Sequence, residues 1–70
     1  MYNQKFKTVL AKRYTAQIHQ HYLELSILMD KPVGLGDHTN YIDEAHKHIE
    51  AIANAKEQLD IVEGMDHWIQ

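Results

Sequence analysis

Apolar side chains recur every three or four residues along two long stretches of this 70-residue chain, with a turn-rich segment between them. The first stretch contains no glycine or proline, and its spacing predicts a helix over about 3–29. The same spacing predicts a second helix over about 40–63, with a loop at 30–39 and a tail at 64–70. Nothing in the sequence shows the period-two alternation typical of strands. The predicted fold is therefore one all-α domain over 1–70, an antiparallel helical hairpin.

The first predicted helix has a main apolar stripe and a thinner one on the opposite side. The main stripe, which also includes His21, consists of Phe6, Leu10, Tyr14, Ile18, Tyr22, Leu25, Leu28 and Met29. The thinner stripe consists of Val9, Ala16, Leu23 and Ile27. A helix that is apolar on two sides usually packs against something on both. We therefore expect the second helix to cover the main stripe, and Val9, Leu23 and Ile27 to contact another chain.

The second predicted helix has a single apolar stripe, in which His48 again interrupts the pattern. This stripe consists of Tyr41, Ala45, Ile49, Ile52, Ala55, Leu59 and Val62. The residues predicted to form the core are Ile18, Tyr22, Leu25, Ile49, Ile52 and Leu59. In such a hairpin the numbers of facing residues sum to about 69 or 70. Gly64 fits either a cap that ends the helix or an interior helical position.

The chain is too short to bury much apolar surface alone. It has no cysteine, which excludes disulfides and thiolate metal sites. Chains of this size are commonly stabilised by oligomerisation, a metal or very good helix packing. Together with the two apolar sides of the first helix, this predicts a homodimer that forms a four-helix bundle.

Charge is unevenly distributed, although the net charge is only −3. Residues 1–23 carry four basic side chains and no acid, whereas residues 37–70 carry eight acids and two lysines. An antiparallel hairpin places the basic helix start beside the acidic helix end, and this pairing is the favoured interpretation. The alternative is a contact with nucleic acid or another anionic partner. Its basic and aromatic residues would be Lys5, Lys7, Lys12, Arg13, Tyr2, Phe6 and Tyr14.

The loop "DKPVGLGDHTN" superficially resembles a phosphate-binding loop. Gly34 and Gly36 lack the preceding strand and the third glycine of a dinucleotide fingerprint, and no Gly-Lys-Ser/Thr follows. A turn accounts for the segment, because Pro32 ends the first helix by about Asp30. The second helix then has three candidate caps, which are Asp37, Thr39 and Asn40.

His21 and His48 interrupt the two apolar stripes, and their numbers sum to 69. The hairpin therefore predicts that they meet, with Glu24 and Glu44 nearby on the same helices. The favoured interpretation is a buried polar layer that sets the register of the helices. The alternative is a metal-binding bundle, since two histidines and two carboxylates suit zinc, iron or manganese. The order differs from the Glu-x-x-His motifs of di-metal bundles, so no metal ligand is assigned.

Candidate catalytic residues are lacking. The only serine, Ser26, lies on the first helix without the glycines or histidine of a nucleophile elbow. The chain is predicted not to be an enzyme, with no catalytic residue and no cofactor.

The segment "KPVGLGDHTNYIDEAHKHIEAI" resembles short uncharacterised proteins of tailed phages of marine bacteria, including cyanophages, which are common in ocean metagenomes. The resemblance lies in Lys31-Pro32-x-Gly34-x-Gly36, then Asp37-His38 and Thr39 opening an acidic helix. It implies a phage or marine-microbial source and an accessory role in the infected cell or the virion. It implies no catalytic or binding residues.

The sequence thus predicts a self-associating protein-interaction or structural module. A host or virion protein is a further expected partner, and nucleic acid is not expected. No run approaches the ~20 apolar residues of a membrane span. The start "MYNQKFKTVLAKRY" lacks the apolar region of a secretory signal. The expected location is therefore the cytoplasm of an infected host cell, or the virion.

Overall fold

The chain folds as two long antiparallel helices that lie side by side. The computed structural model describes residues 4–30 and 38–68, and of these residues it describes all side chains except those of 38, 39, 66 and 68. Helix α1 spans Gln4–Asp30, α2 spans His38–Glu63, and the single turn α3 spans Met65–Trp68. The predicted all-α helical hairpin is confirmed.

The boundary between loop and second helix differs from the prediction. Helix α2 begins at His38, so Thr39 and Asn40 lie in its first turn. Differences of one or two residues at helix ends are usual. The predicted roles of Pro32, the two loop glycines and Asp37 fall at 31–37, outside the described residues, and Tyr2 also lies outside them.

The two helices meet along a row of positions spaced alternately four and three residues apart, which we call the seam. On α1 these are positions 7, 11, 14, 18, 21, 25 and 28, and on α2 they are 41, 45, 48, 52, 55, 59 and 62; all are buried or half-buried. An average spacing of 3.5 residues keeps the same side of a helix facing its partner along its whole length. Level by level, the facing numbers sum to 69 or 70, as His21 beside His48 shows.

The core of this seam is small. Ile18, Ile52 and Ala55 form one buried cluster, against which Leu25 and Leu59 pack. These residues include four that were predicted for the core. Leu28 and Val62, 6% and 4% exposed, extend the buried row towards the two ends of the hairpin.

Two predicted core residues are not in the core of this chain, because Tyr22 is 48% and Ile49 54% exposed. From Phe6 to Tyr22 the predicted α1 stripe advanced by steps of four residues, and each such step turns about 40° beyond a full circle. Tyr22 has therefore rotated onto the flank, and His21 occupies the seam position. His48 displaces Ile49 from the seam of α2 in the same way. Phe6, at the far end of the stripe, is 67% exposed.

Gly64 interrupts the helix without a left-handed cap. Its N–H still donates to the carbonyl of Asp60 at 3.0 Å, and its φ is not positive. The N–H of His67 then donates to the carbonyl of Gly64 at 2.9 Å, within the turn that contains α3. Of the two alternatives for Gly64, the structure lacks the left-handed cap, and the chain continues as one further helical turn.

The hairpin is a single layer of helices with little interior. Its radius of gyration is 16.3 Å, whereas a compact chain of this length has about 11 Å. Its accessible surface is 5711 Å², compared with about 4,500 Å² for a compact monomer of the same mass. The chain therefore exposes about 1,200 Å² more surface than a compact monomer would.

The buried cluster predicts a measurable difference between two valine substitutions on α2. Ile52→Val removes a buried methyl group and should lower the free energy of unfolding by about 1 kcal/mol. Ile61→Val is the matched control, because Ile61 is 58% exposed, and it should cost less than about 0.5 kcal/mol. Urea unfolding followed by circular dichroism at one protein concentration measures both. Equal losses would contradict this assignment of the core.

Candidate functional site

Three polar side chains meet near the middle of the seam, and we call this group the histidine layer. It consists of His21 and Glu24 from α1 and His48 from α2. The Nδ1 atoms of the two histidines are 3.1 Å apart. Glu24 Oε2 lies 3.6 Å from His21 Nδ1 and 3.4 Å from His48 Nδ1. The predicted meeting of the two histidines therefore occurs, and one carboxylate joins them.

The local sequence explains how the layer forms. His21 and His48 occupy seam positions at the same level, so the hairpin itself brings the rings together. Glu24 follows His21 by three residues and lies one turn further along the same side of α1. Side chains on a helix lean towards its N-terminus, so the Glu24 carboxylate leans back over His21. Gln20 Nε2 donates to Glu24 Oε1 at 3.2 Å and holds the carboxylate from its other side.

The layer is only partly shielded from solvent. The side chains of His21 and His48 are 28% and 20% exposed, and that of Glu24 is 41% exposed. The ring centroids are 5.3 Å apart with 48° between the ring planes, so the Nδ1 edges face each other. Water or a small ion can therefore reach the layer from the side on which Glu24 lies.

When both imidazoles are neutral, the three facing atoms of the layer have too few protons for each pair of atoms to form a hydrogen bond. If His21 Nδ1–H donates to His48 Nδ1, the proton of His48 is on Nε2. The Glu24 oxygen then faces a nitrogen lone pair at 3.4 Å, with no proton between them. If His48 donates to His21 instead, the Glu24 oxygen faces a lone pair of His21, again with no proton between them. A proton or a cation bound at this point would satisfy all three donor atoms.

Glu44 was expected to complete the layer and does not. It is exposed, and it lies with Asn40, Asp43, His46 and Lys47 on the outer surface of α2. The reason is the same lean of side chains towards the helix N-terminus. Glu44 precedes His48 by four residues, so its carboxylate points away from the histidine. His46 makes only an exposed contact, with its Nε2 3.9 Å from Glu50 Oε2.

A second candidate feature is an exposed apolar surface on one flank of the hairpin. Tyr22 and Met29 lie seven residues apart on α1, and Ile42 and Ile49 lie seven residues apart on α2. All four are large and exposed, at 48%, 67%, 66% and 54% respectively. Seven residues make nearly two turns, so each pair follows one line along its helix.

Lys56 shows that these two lines border the same flank. It follows Ile49 by seven residues, and its Nζ donates to Tyr22 Oη at 3.2 Å and lies 5.5 Å from the ring centroid. The line on α1 and the line on α2 therefore lie next to each other. We call Tyr22, Met29, Ile42 and Ile49 the apolar flank. A search for seven-residue spacing beside the seam would have found it, whereas the predicted stripes divided its members between core and surface.

The residues predicted for an outer contact lie elsewhere on α1. Val9, Leu23 and Ile27 are 64%, 62% and 52% exposed. Val9 and Leu23 lie fourteen residues apart on the line of α1 opposite the seam, which faces away from α2. Their surface is therefore one helix wide, whereas the apolar flank is formed by both helices.

The basic start of α1 lies beside the acidic end of α2, as the hairpin requires. Lys12 and Arg13 are exposed, whereas Lys5 and Lys7 already have interactions within the chain. Tyr14 is half-buried in the seam. Of the predicted aromatic residues, Tyr14 is therefore partly withdrawn from the surface, whereas Phe6 is 67% exposed.

No known protein family, curated protein or solved structure matches this chain. Within the described residues, neither long helix is apolar enough to cross a membrane. The resemblance to marine phage proteins stays a prediction, and the features of the described residues that bear on function are the histidine layer and the apolar flank.

The histidine layer predicts that removing its polar groups stabilises the hairpin when no metal is present. The double variant His21→Leu/His48→Leu fills two seam positions with apolar side chains. It should raise the free energy of unfolding by about 1 to 3 kcal/mol in the presence of a chelator. Chemical unfolding of both proteins measures the difference. A less stable double variant would show that the polar layer itself stabilises the chain.

Proposed function

We propose that this protein is a self-associating helical module in which two hairpins pack through their apolar flanks into a four-helix bundle. The observation that carries this proposal is the position of Tyr22, Met29, Ile42 and Ile49 on one flank formed by both helices. Each helix contributes two large, exposed apolar side chains there. Packing this flank onto a second hairpin gives the two-layer arrangement that a single hairpin lacks.

The amount of exposed surface supports a second copy as the partner. The chain exposes about 1,200 Å² more than a compact monomer of its mass. A standard interface buries about 800 Å² on each partner, so one such contact accounts for most of the excess. A twofold dimer places the same surface of each copy against itself, and an apolar flank is complementary to its own copy.

This surface differs from the predicted one. Val9, Leu23 and Ile27 were expected to make the outer contact, and we now assign the contact to the apolar flank. We choose the apolar flank because a bundle requires both helices of each hairpin to contact the partner, and this flank is formed by both helices. Val9 and Leu23, which lie opposite the seam, belong to α1 alone.

We further propose that the module acts in phage infection, within the host cytoplasm or in the virion, with a host or virion protein as an additional partner. Support for this part comes from the motif at 31–39, with its Lys-Pro-x-Gly-x-Gly order. The module would act by assembly and would carry out no chemical reaction.

Analytical ultracentrifugation tests the association and identifies the surface. The wild-type chain should sediment as a dimer at micromolar concentration. Ile42→Glu/Ile49→Glu places two charges on the apolar flank and should give a monomer that remains helical by circular dichroism. Val9→Glu/Leu23→Glu is the matched control on the opposite surface of α1 and should stay dimeric.

Two outcomes would contradict the proposal. A folded wild-type monomer at micromolar concentration would exclude self-association as the function. If the Val9→Glu/Leu23→Glu variant were monomeric while the Ile42→Glu/Ile49→Glu variant stayed dimeric, the originally predicted outer surface would be the interface.

A further inference from the structure

We propose that the histidine layer is a binding site for one divalent transition-metal ion, with Zn²⁺ as the ion of best fit. The ligand atoms are Nδ1 of His21, Nδ1 of His48 and Oε2 of Glu24. This proposal does not depend on self-association, because all three ligands come from one hairpin.

The distances between the three donor atoms match one face of a zinc coordination tetrahedron. Zn²⁺ lies about 2.0 to 2.2 Å from histidine nitrogen and carboxylate oxygen, so neighbouring ligands of a tetrahedral ion are about 3.3 to 3.6 Å apart. The three separations in the layer are 3.1, 3.6 and 3.4 Å. An ion just outside the plane of the three atoms is therefore about 2 Å from each of them.

The chemistry of the ligand set points to the same ion. Two histidines and one glutamate form a known protein ligand set for zinc, with a fourth position left to water. Both imidazoles offer Nδ1 lone pairs when their protons are on Nε2. A divalent ion would replace the single shared proton and satisfy the three donor atoms together. The partial exposure of Glu24 leaves room for the fourth ligand.

The layer is distinct from ordinary surface pairs of histidine and carboxylate. Among the side chains that the structure describes, it is the group in which three donor atoms from different side chains lie within 4.8 Å of one another. His46 and Glu50 provide only two donors, 3.9 Å apart and largely exposed. His46 therefore provides an internal comparison on the same helix.

A metal ion at this position would connect α1 to α2 at the centre of the seam. Because the donors meet only in the folded hairpin, the binding free energy would contribute to folding. A small chain without disulfides commonly gains stability in this way. The ion would therefore join the two helices, with solvent at one coordination position.

Zn²⁺ titration of the chelator-treated full chain tests the proposal. Isothermal titration calorimetry should show one ion per chain, and Zn²⁺ should raise the melting temperature. Glu24→Gln keeps the size of the side chain but removes a charged ligand, and should weaken affinity by at least about tenfold. Glu44→Gln is the matched control and should leave the affinity unchanged. His48→Asn should weaken binding as Glu24→Gln does, whereas His46→Asn should not.

Circular dichroism of each metal-free variant establishes that it is folded before the titration. Co²⁺ provides a second measurement, because a tetrahedral site with nitrogen and oxygen ligands gives intense visible absorption that a hexahydrated surface ion does not. Absence of stoichiometric Zn²⁺ binding by the folded wild-type chain would overturn the proposal. An equal loss of affinity in the His46→Asn and His48→Asn variants would also overturn it, because binding would then be adventitious.

Discussion

The structure depends on the alternation of four- and three-residue steps that keeps one side of each helix facing the other. Alanine at 11, 45 and 55 keeps parts of this seam thin, and larger aliphatic residues fill the space between them. The seam determines which histidines meet, which aromatic side chains remain outside and where the polar faces lie. With so few buried side chains, a shift of one residue in the seam would exchange core residues for flank residues on both helices.

The histidine layer is a costly feature for such a small core. Leucine at these two seam positions would bury more apolar surface than histidine does, and the hairpin has few other buried residues to compensate. Polar groups in a helical seam have two well-supported uses, which are selection of one register and coordination of a ligand. The position of Glu24 favours the second use, because register alone requires only the pair of histidines.

Much of the fold could be predicted from the sequence. The first stretch lacks glycine and the apolar spacing gives the length of each helix. The geometry of an antiparallel pair then determines which residue numbers face each other. The meeting of His21 with His48 followed from that sum. The choice between His21 and Tyr22 for the seam could not be made from an apolar pattern, because a tyrosine fits a stripe better than a histidine does. The absence of Glu44 from the layer depends on the direction in which side chains lean along a helix, and residue spacing does not show this direction.

The apolar flank and the histidine layer are neighbours, and their geometry permits both to operate in one molecule. Tyr22 and Ile49 follow the two histidines directly and lie on one side of the seam, whereas Glu24, three residues after His21, lies on the other side. A partner hairpin on the apolar flank would cover the layer from the side opposite the carboxylate. Exclusion of water there lowers the local dielectric and strengthens the attraction between the donors and a cation. The side with Glu24 would remain open, so an ion could still enter and leave the assembled bundle.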